Sequence, residues 1–245
     1  MPLIGVLALQ EISLATWNLR QLKDRIEIKY GKNQQRITSR SLDSIFENQD
    51  FARYHYSEIK KLISEHLDNK RTGKDYFQLV MSTDPTVRES EYQFSTSCKA
   101  HIISLLRNLH SIPDLLAHFI YFCLGFNIND ETRLDESKVS LFNVKKILKK
   151  DPKYRELLEL VMCLTVNEDF KYLKDIGNYS KHRANVIPKL SYSMEHEGNS
   201  VYKFTFEAFK RYPETPAVDF LNREYNRESE QILVIGNKIN EIFAM

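Results

Sequence analysis

Glycine and proline are scarce in this chain, seven of each in 245 residues. That scarcity argues against a protein built from tight turns and short strands. It also removes the glycine patterns that carry familiar chemistry: the chain holds no phosphate-binding glycine loop, no dinucleotide fingerprint, no nucleophile elbow and no zincin helix. Cysteine is scarcer still. Cys98, Cys123 and Cys163 stand far apart without paired spacing, which excludes a disulfide framework or a zinc knuckle and leaves them as expected reduced core residues. A long apolar run is missing too. The stretch Leu115 to Phe126 is too short to span a bilayer and contains His118. The apolar opening Met1 to Leu9 has neither a basic flank nor a small-residue cleavage site. The expectation is therefore no export, no membrane partner and cytoplasmic residence. Finally, there is no strong excess of one charge: the net charge is +2, so bulk electrostatics draws the chain neither to nucleic acid nor to an anionic surface.

What the chain does contain is helical periodicity. Apolar residues recur at three- and four-residue intervals. A first helix is predicted from about Leu9 to Tyr30, with Leu14, Trp17, Leu22 and Ile26 on one side and Gly31 as its stop. A polar connection containing Arg and Ser then leads to a second helix near Phe51 to Leu67, ending at Asn69 and Gly73. The central helix is predicted from Val87 to about Gly125, with Asp84 and Pro85 at its start. Pro113 should bend or divide it near Ser111. Shorter helices follow a polar linker at Asn127 to Glu136, at about Ser140 to Lys149, Lys153 to Leu164 and Asp169 to His182.

Beyond Arg183 the period changes to two. Leu190, Tyr192 and Met194, then Tyr202, Phe204 and Phe206, alternate with polar residues around a His196 to Ser200 turn, which reads as a β-hairpin within residues 184–212. Pro213 and Pro216 end it, and a closing helix from Phe220 returns to the bundle. The whole chain, 1–245, thus reads as one mainly α helical domain with an inserted hairpin in its C-terminal third.

Two segments concentrate chemistry. Asn178-Tyr179-Ser180-Lys181-His182-Arg183 gathers an amide, an ammonium, an imidazole and a guanidinium. On a helix Asn178, Lys181 and His182 share a face and can converge on an anion such as a phosphate. The bland alternative is a basic helix end that complements the macrodipole. The surroundings are basic: from Lys138 to Lys189 there are twelve Lys and Arg against six Asp and Glu. On the central helix, Arg107, Ser111, Asp114, His118 and Tyr121 form a polar stripe opposite Leu105, Leu109, Ile112, Leu116, Phe119 and Phe122. Such a stripe needs a polar partner, and the Asn178 helix is the obvious one. His110, Asp114 and His118 span too much helix axis to hold one metal ion by themselves, so no metal and no cofactor are expected. His55, His66, His101 and His196 have no constellation around them.

The segment LKDIGNYSKHR, Leu173 to Arg183, and more loosely LRNLHSIPDLLAH on the central helix, resemble the HEPN superfamily across residues 85–185. That resemblance implies a helical bundle binding RNA or nucleotides, often as a homodimer. It also implies the metal-independent endoribonuclease activity of members in toxin–antitoxin and phage-defence systems. It places His182, Asn178, Lys181 and Arg183 in catalytic roles and Arg107, His110 and Asp114 in the nucleic-acid-binding face. His182 would transfer a proton while the cations stabilise charge on the phosphoryl oxygens. The chain departs from the pattern at one position, because Gly177 stands where the family carries arginine. Two other readings stay open: a non-catalytic bundle binding a nucleotide or a cognate protein partner, and a structural role in which Asn178 and His182 pair with Asp114 and His110 to fasten two helices.

Overall fold

The computed structural model describes residues 17–67, 81–192 and 202–244. Seven helices and three short strands lie within them. The helices are α1 (Leu19–Tyr30), α2 (Lys32–Leu67), α3 (Pro85–Cys123), α4 (Leu141–Leu148), α5 (Arg155–Val166), α6 (Glu168–His182) and α7 (Ala217–Ile242). The strands are β1 (Lys189–Tyr192), β2 (Tyr202–Phe206) and β3 (Thr215–Pro216), in one antiparallel sheet of that order. The protein is a mainly α bundle with a small β insertion, as the periodicity predicts.

Local signals account for most boundaries. Asp84 caps α3 by accepting from the Thr86 amide at 2.8 Å, and Pro85 occupies the first turn. Asn167 caps α6 through the Asp169 amide. Gly31, at φ +88°, takes a conformation that side chains disfavour and separates α1 from α2.

One expectation fails outright and another in part, the division of the central helix at Pro113, both for tertiary reasons. The polar segment after Gly31 is not a connection, since α2 begins at Lys32 and runs unbroken to Leu67. Its buried stripe starts with polar members, Gln34 and Thr38, before reaching Leu42, Ile45, Ala52 and Ile59. Gln34 Nε2 donates to the Phe122 carbonyl and to Asn127 Oδ1 at the far end of α3, so a residue that looks like linker is satisfied inside the bundle. Likewise α3 is one continuous helix through Pro113 rather than two abutting pieces. Leu109, Ile112 and Leu116 on either side of the proline are all buried in the same core. Each fully buried large apolar side chain is worth roughly 1.5–3 kcal/mol, which together offset the proline's cost of about 3 kcal/mol.

Two of the polar-stripe residues expected on α3 do not line the α6 side. Tyr121 is buried, and its hydroxyl accepts from the Leu134 amide at 2.7 Å; His118 is half-buried and faces a different hollow. Cys98 and Cys123 are core residues, whereas Cys163 is exposed. The predicted first helix is shorter than expected: α1 begins at Leu19 with Asn18 as its cap, so Trp17 precedes the helix instead of lying on it. Leu9 and Leu14, the ends at Asn69 and Gly73, and the hairpin turn at His196 to Ser200 lie outside the described residues.

The sheet pairs Leu190 with Phe204 and Lys189 with Thr205. It extends beyond the predicted hairpin, because Thr205 and Phe206 also pair with Pro216 and Thr215. Phe204 and Phe206 are buried, the latter edge-on to Phe220 of α7, so the sheet leans on the bundle as an isolated hairpin must. Among the described residues no helix is long and apolar enough to cross a membrane.

Candidate functional site

The seam between α3 and α6 is where the two chemistry-bearing segments meet. Its centre is His110. The imidazole lies directly on the backbone of α6 at Gly177, where a Cβ would come 2.6 Å from the ring Cγ and 2.9 Å from Nε2, and nearer still to Cδ2. Any side chain at 177 would displace the ring. Gly177 therefore has a positive role in this chain: it is the seat of a histidine from the neighbouring helix. Burial is the main influence on the titration of this ring and lowers it below the ordinary histidine range; Asp114 and Asn178 oppose that shift, while Lys181 and Lys174 add to it. At neutral pH the imidazole is uncharged.

His110 stands between two hollows. One, of about 400 Å³, lies between α3, α4 and α6 and is lined by Asp114, Lys145, Lys174 and Asn178 among others. The second, of about 340 Å³, is lined by Arg107, Ser111, Ser180 and Lys181. Together they hold four cations. Lys174, Asn178 and Lys181 follow one another at i, i+4 and i+7 on α6 and so form one stripe. Lys145 comes from α4 and contacts Thr165 Oγ1 at 3.3 Å. Its ammonium is pushed below the usual lysine range by burial and by the neighbouring Lys174. Arg107 donates to Asn185 Oδ1 at 3.1 Å.

None of these four cations has a carboxylate within ion-pairing distance among the described residues, although acids are plentiful nearby. The acids of α6 are engaged elsewhere: Glu168 pairs with Lys171 and Arg211, Asp169 with Arg223, and Asp175 with Lys210. Among the described residues the exposed Asp114 is the one acid that lines the hollow with Lys145 and Lys174, and none lines the hollow with Arg107 and Lys181. Unpaired cations held close together favour an anionic guest. A larger hollow of about 810 Å³ at the other end of α3 differs in its lining, where Asp135 and Glu136 stand beside Arg40 and Arg133.

Of the residues singled out in the sequence, the fold gathers Arg107, His110, Asp114, Asn178 and Lys181 along the seam. It does not gather His182 and Arg183, which are exposed at the end of α6 and line neither hollow. There the Arg183 amide closes the helix on the Tyr179 carbonyl. Where the two helices meet, His110 rests on Gly177. Sequence reading missed Lys145 and Lys174. The i, i+4, i+7 spacing of Lys174 with Asn178 and Lys181 was the available signal for one of them; nothing local signals Lys145.

It also missed two histidine constellations on the α2–α3 pair. His55 Nδ1 lies 2.8 Å from His101 Nδ1, and His66 Nε2 lies 2.9 Å from Glu91 with its ring stacked on Phe94. Among the described residues no group of three or more His, Cys, Asp or Glu is arranged to hold a metal ion.

No curated protein and no solved structure matches the chain. Residues 18–166, which comprise α1 to α5 and so supply His110, Asp114 and Lys145 but not the α6 half of the seam, match the model of a family described as "Bacterial protein of unknown function (HtrL_YibB)". Because that match covers more than half of the sequence, the chain belongs to this family.

Proposed function

We propose that this protein binds a phosphate-bearing ligand, a nucleotide or RNA, in the seam between α3 and α6. The observation that carries the reading is the placement of Arg107, Lys145, Lys174 and Lys181, without paired acids among the described residues, in two hollows on either side of one uncharged imidazole. A phosphate offers several acceptor oxygens and a negative charge, which suit the Lys145 and Lys174 ammonium groups of one hollow and the Arg107 and Lys181 cations of the other. The resemblance of the segment Leu173 to Arg183 to the HEPN motif favours the same class of ligand, and Gly177 in place of arginine favours binding over turnover.

The test is binding of a labelled single-stranded RNA to the purified chain and to a Lys174→Ala/Lys181→Ala variant. Affinity should fall. The slope of log affinity against log salt should become shallower by about 0.7 for each phosphate that the variant no longer neutralises. Unchanged affinity and slope would overturn the reading.

A metal-independent endoribonuclease is the second reading, favoured by the neutral, half-buried state of His110. Such a ring accepts a proton at physiological pH. His182, exposed at the helix end, is the other candidate proton carrier. RNA cleavage in EDTA that is lost in His110→Ala or His182→Ala supports turnover; cleavage that survives both substitutions, or no cleavage at all, leaves binding as the activity.

A further inference from the structure

An aromatic side chain joins the cations on the α4 side of the hollow of about 400 Å³. Phe142 lines that hollow yet remains 64% exposed. The other apolar members of its helix, Leu141, Val144, Ile147 and Leu148, are all buried. Its position is fixed by the first turn of α4, where the Ser140 hydroxyl accepts from the Asn143 amide. Lys146, one turn further on, holds its ammonium 4.0 Å from the ring centroid, a cation–π contact that steadies the ring. A lone exposed phenylalanine needs no explanation. One that shares a hollow with Lys145, Lys174 and a neutral imidazole is a different matter, because its neighbours already select an anion.

Resting on the anion-binding reading above, we propose that the hollow takes an unpaired nucleotide by both its ends, the phosphate on Lys145, Lys174 and His110 and the base stacked on Phe142. The chemistry of the two halves matches one ligand class. A sugar phosphate satisfies the cations and leaves the ring bare; an aromatic heterocycle carrying a phosphate uses both. The volume of about 400 Å³ lies within the range of small-ligand sites. A base inside a duplex is already stacked on both faces, so the guest is a free nucleotide or a single strand rather than double-stranded RNA. Ser140 and Thr165, which also line the hollow, supply hydroxyls able to bond the ribose or base edge.

Calorimetric titration of the full chain with ribose 5-phosphate, adenosine monophosphate, a short single-stranded oligoribonucleotide and its duplex separates the possibilities. Adenosine monophosphate should bind about ten-fold more tightly than ribose 5-phosphate, within the range of one base–aromatic stack. Phe142→Leu should remove that difference and leave ribose 5-phosphate affinity unchanged, whereas Phe142→Tyr should retain it. Because Phe142 is exposed, both variants are expected to fold, which their circular dichroism checks. An oligonucleotide that binds more tightly than the mononucleotide identifies single-stranded RNA as the source of the nucleotide; equal affinity identifies the free nucleotide. If the sugar phosphate and the nucleotide bind alike and Phe142→Leu changes neither, or if the duplex binds as well as the single strand, the stacking proposal is overturned while the anion site stands. If none of the four binds, both fall.

Discussion

Replacing Gly177 by alanine tests the central geometric feature of the seam. In an isolated helix the change would be favourable by about 1 kcal/mol, because alanine loses less backbone entropy than glycine. Here the new methyl would lie within 3 Å of three atoms of the His110 ring. Relieving that overlap by moving ring or helix costs roughly 1–3 kcal/mol, the usual range for overpacking. Set against the gain in helix propensity, the net expectation is destabilisation by up to about 2 kcal/mol, or up to roughly 8 °C in melting temperature for a chain of this size. In a His110→Ala background the obstruction is gone, and the same substitution should stabilise by about 1 kcal/mol. The sign reversal is the diagnostic, and urea denaturation of the four proteins of the double-mutant cycle measures it. If Gly177→Ala has the same effect in both backgrounds, the two residues are not coupled and the seat assigned to the imidazole is wrong.

Two further outcomes follow from other close approaches in the bundle. Gly236 of α7 receives the indole of Trp17, where a Cβ would come 2.7 Å from Cε3 and nearer still to Cδ2 and Cε2. Since Trp17 is the only tryptophan, Gly236→Ala should red-shift the emission as the ring leaves its places against Phe46 and Phe119; an unchanged spectrum would refute the packing. Glu228 of α7 is fully buried, with no hydrogen-bond partner among the described residues at either carboxylate oxygen. Burial, followed by the charge of Glu224, raises its titration well above the ordinary carboxylate range. A raised folded-state value means that stability is retained at low pH and lost as pH rises from the unfolded carboxylate range through the folded-state value. Glu228→Gln should therefore raise the melting temperature more at pH 8 than at pH 5, by an amount on the order of 1–3 kcal/mol at the higher pH. A gain that does not grow with pH would show that the carboxylate has a partner after all.

Much of the fold is legible in the sequence because it is set by local rules. The 3.6-residue period that runs through Leu105, Leu109, Ile112 and Leu116, the Asp84-Pro85 start of α3 and the switch to alternation around Phe204 each depend on residues close together in the chain. Where the reading failed, the deciding interactions came from elsewhere in the molecule. Gln34 looks like linker until its amide meets the end of α3. Pro113 looks like a break until both of its flanks are buried in one core.

The same division holds at the candidate site. The sequence alone determined that α6 ends in a cluster of amide, ammonium, imidazole and guanidinium groups, and that a polar stripe runs along α3. Helical spacing put Asn178 and Lys181 on one face. Which imidazole lies among the cations was decided only by packing: His110 rests on Gly177, while His182 projects from the helix end. Lys145 and Phe142 arrive from α4, more than thirty positions before Asn178. Spacing along a helix fixes which residues share a face, but which faces meet is set by the burial of apolar surface across the whole chain, and no single segment carries that information.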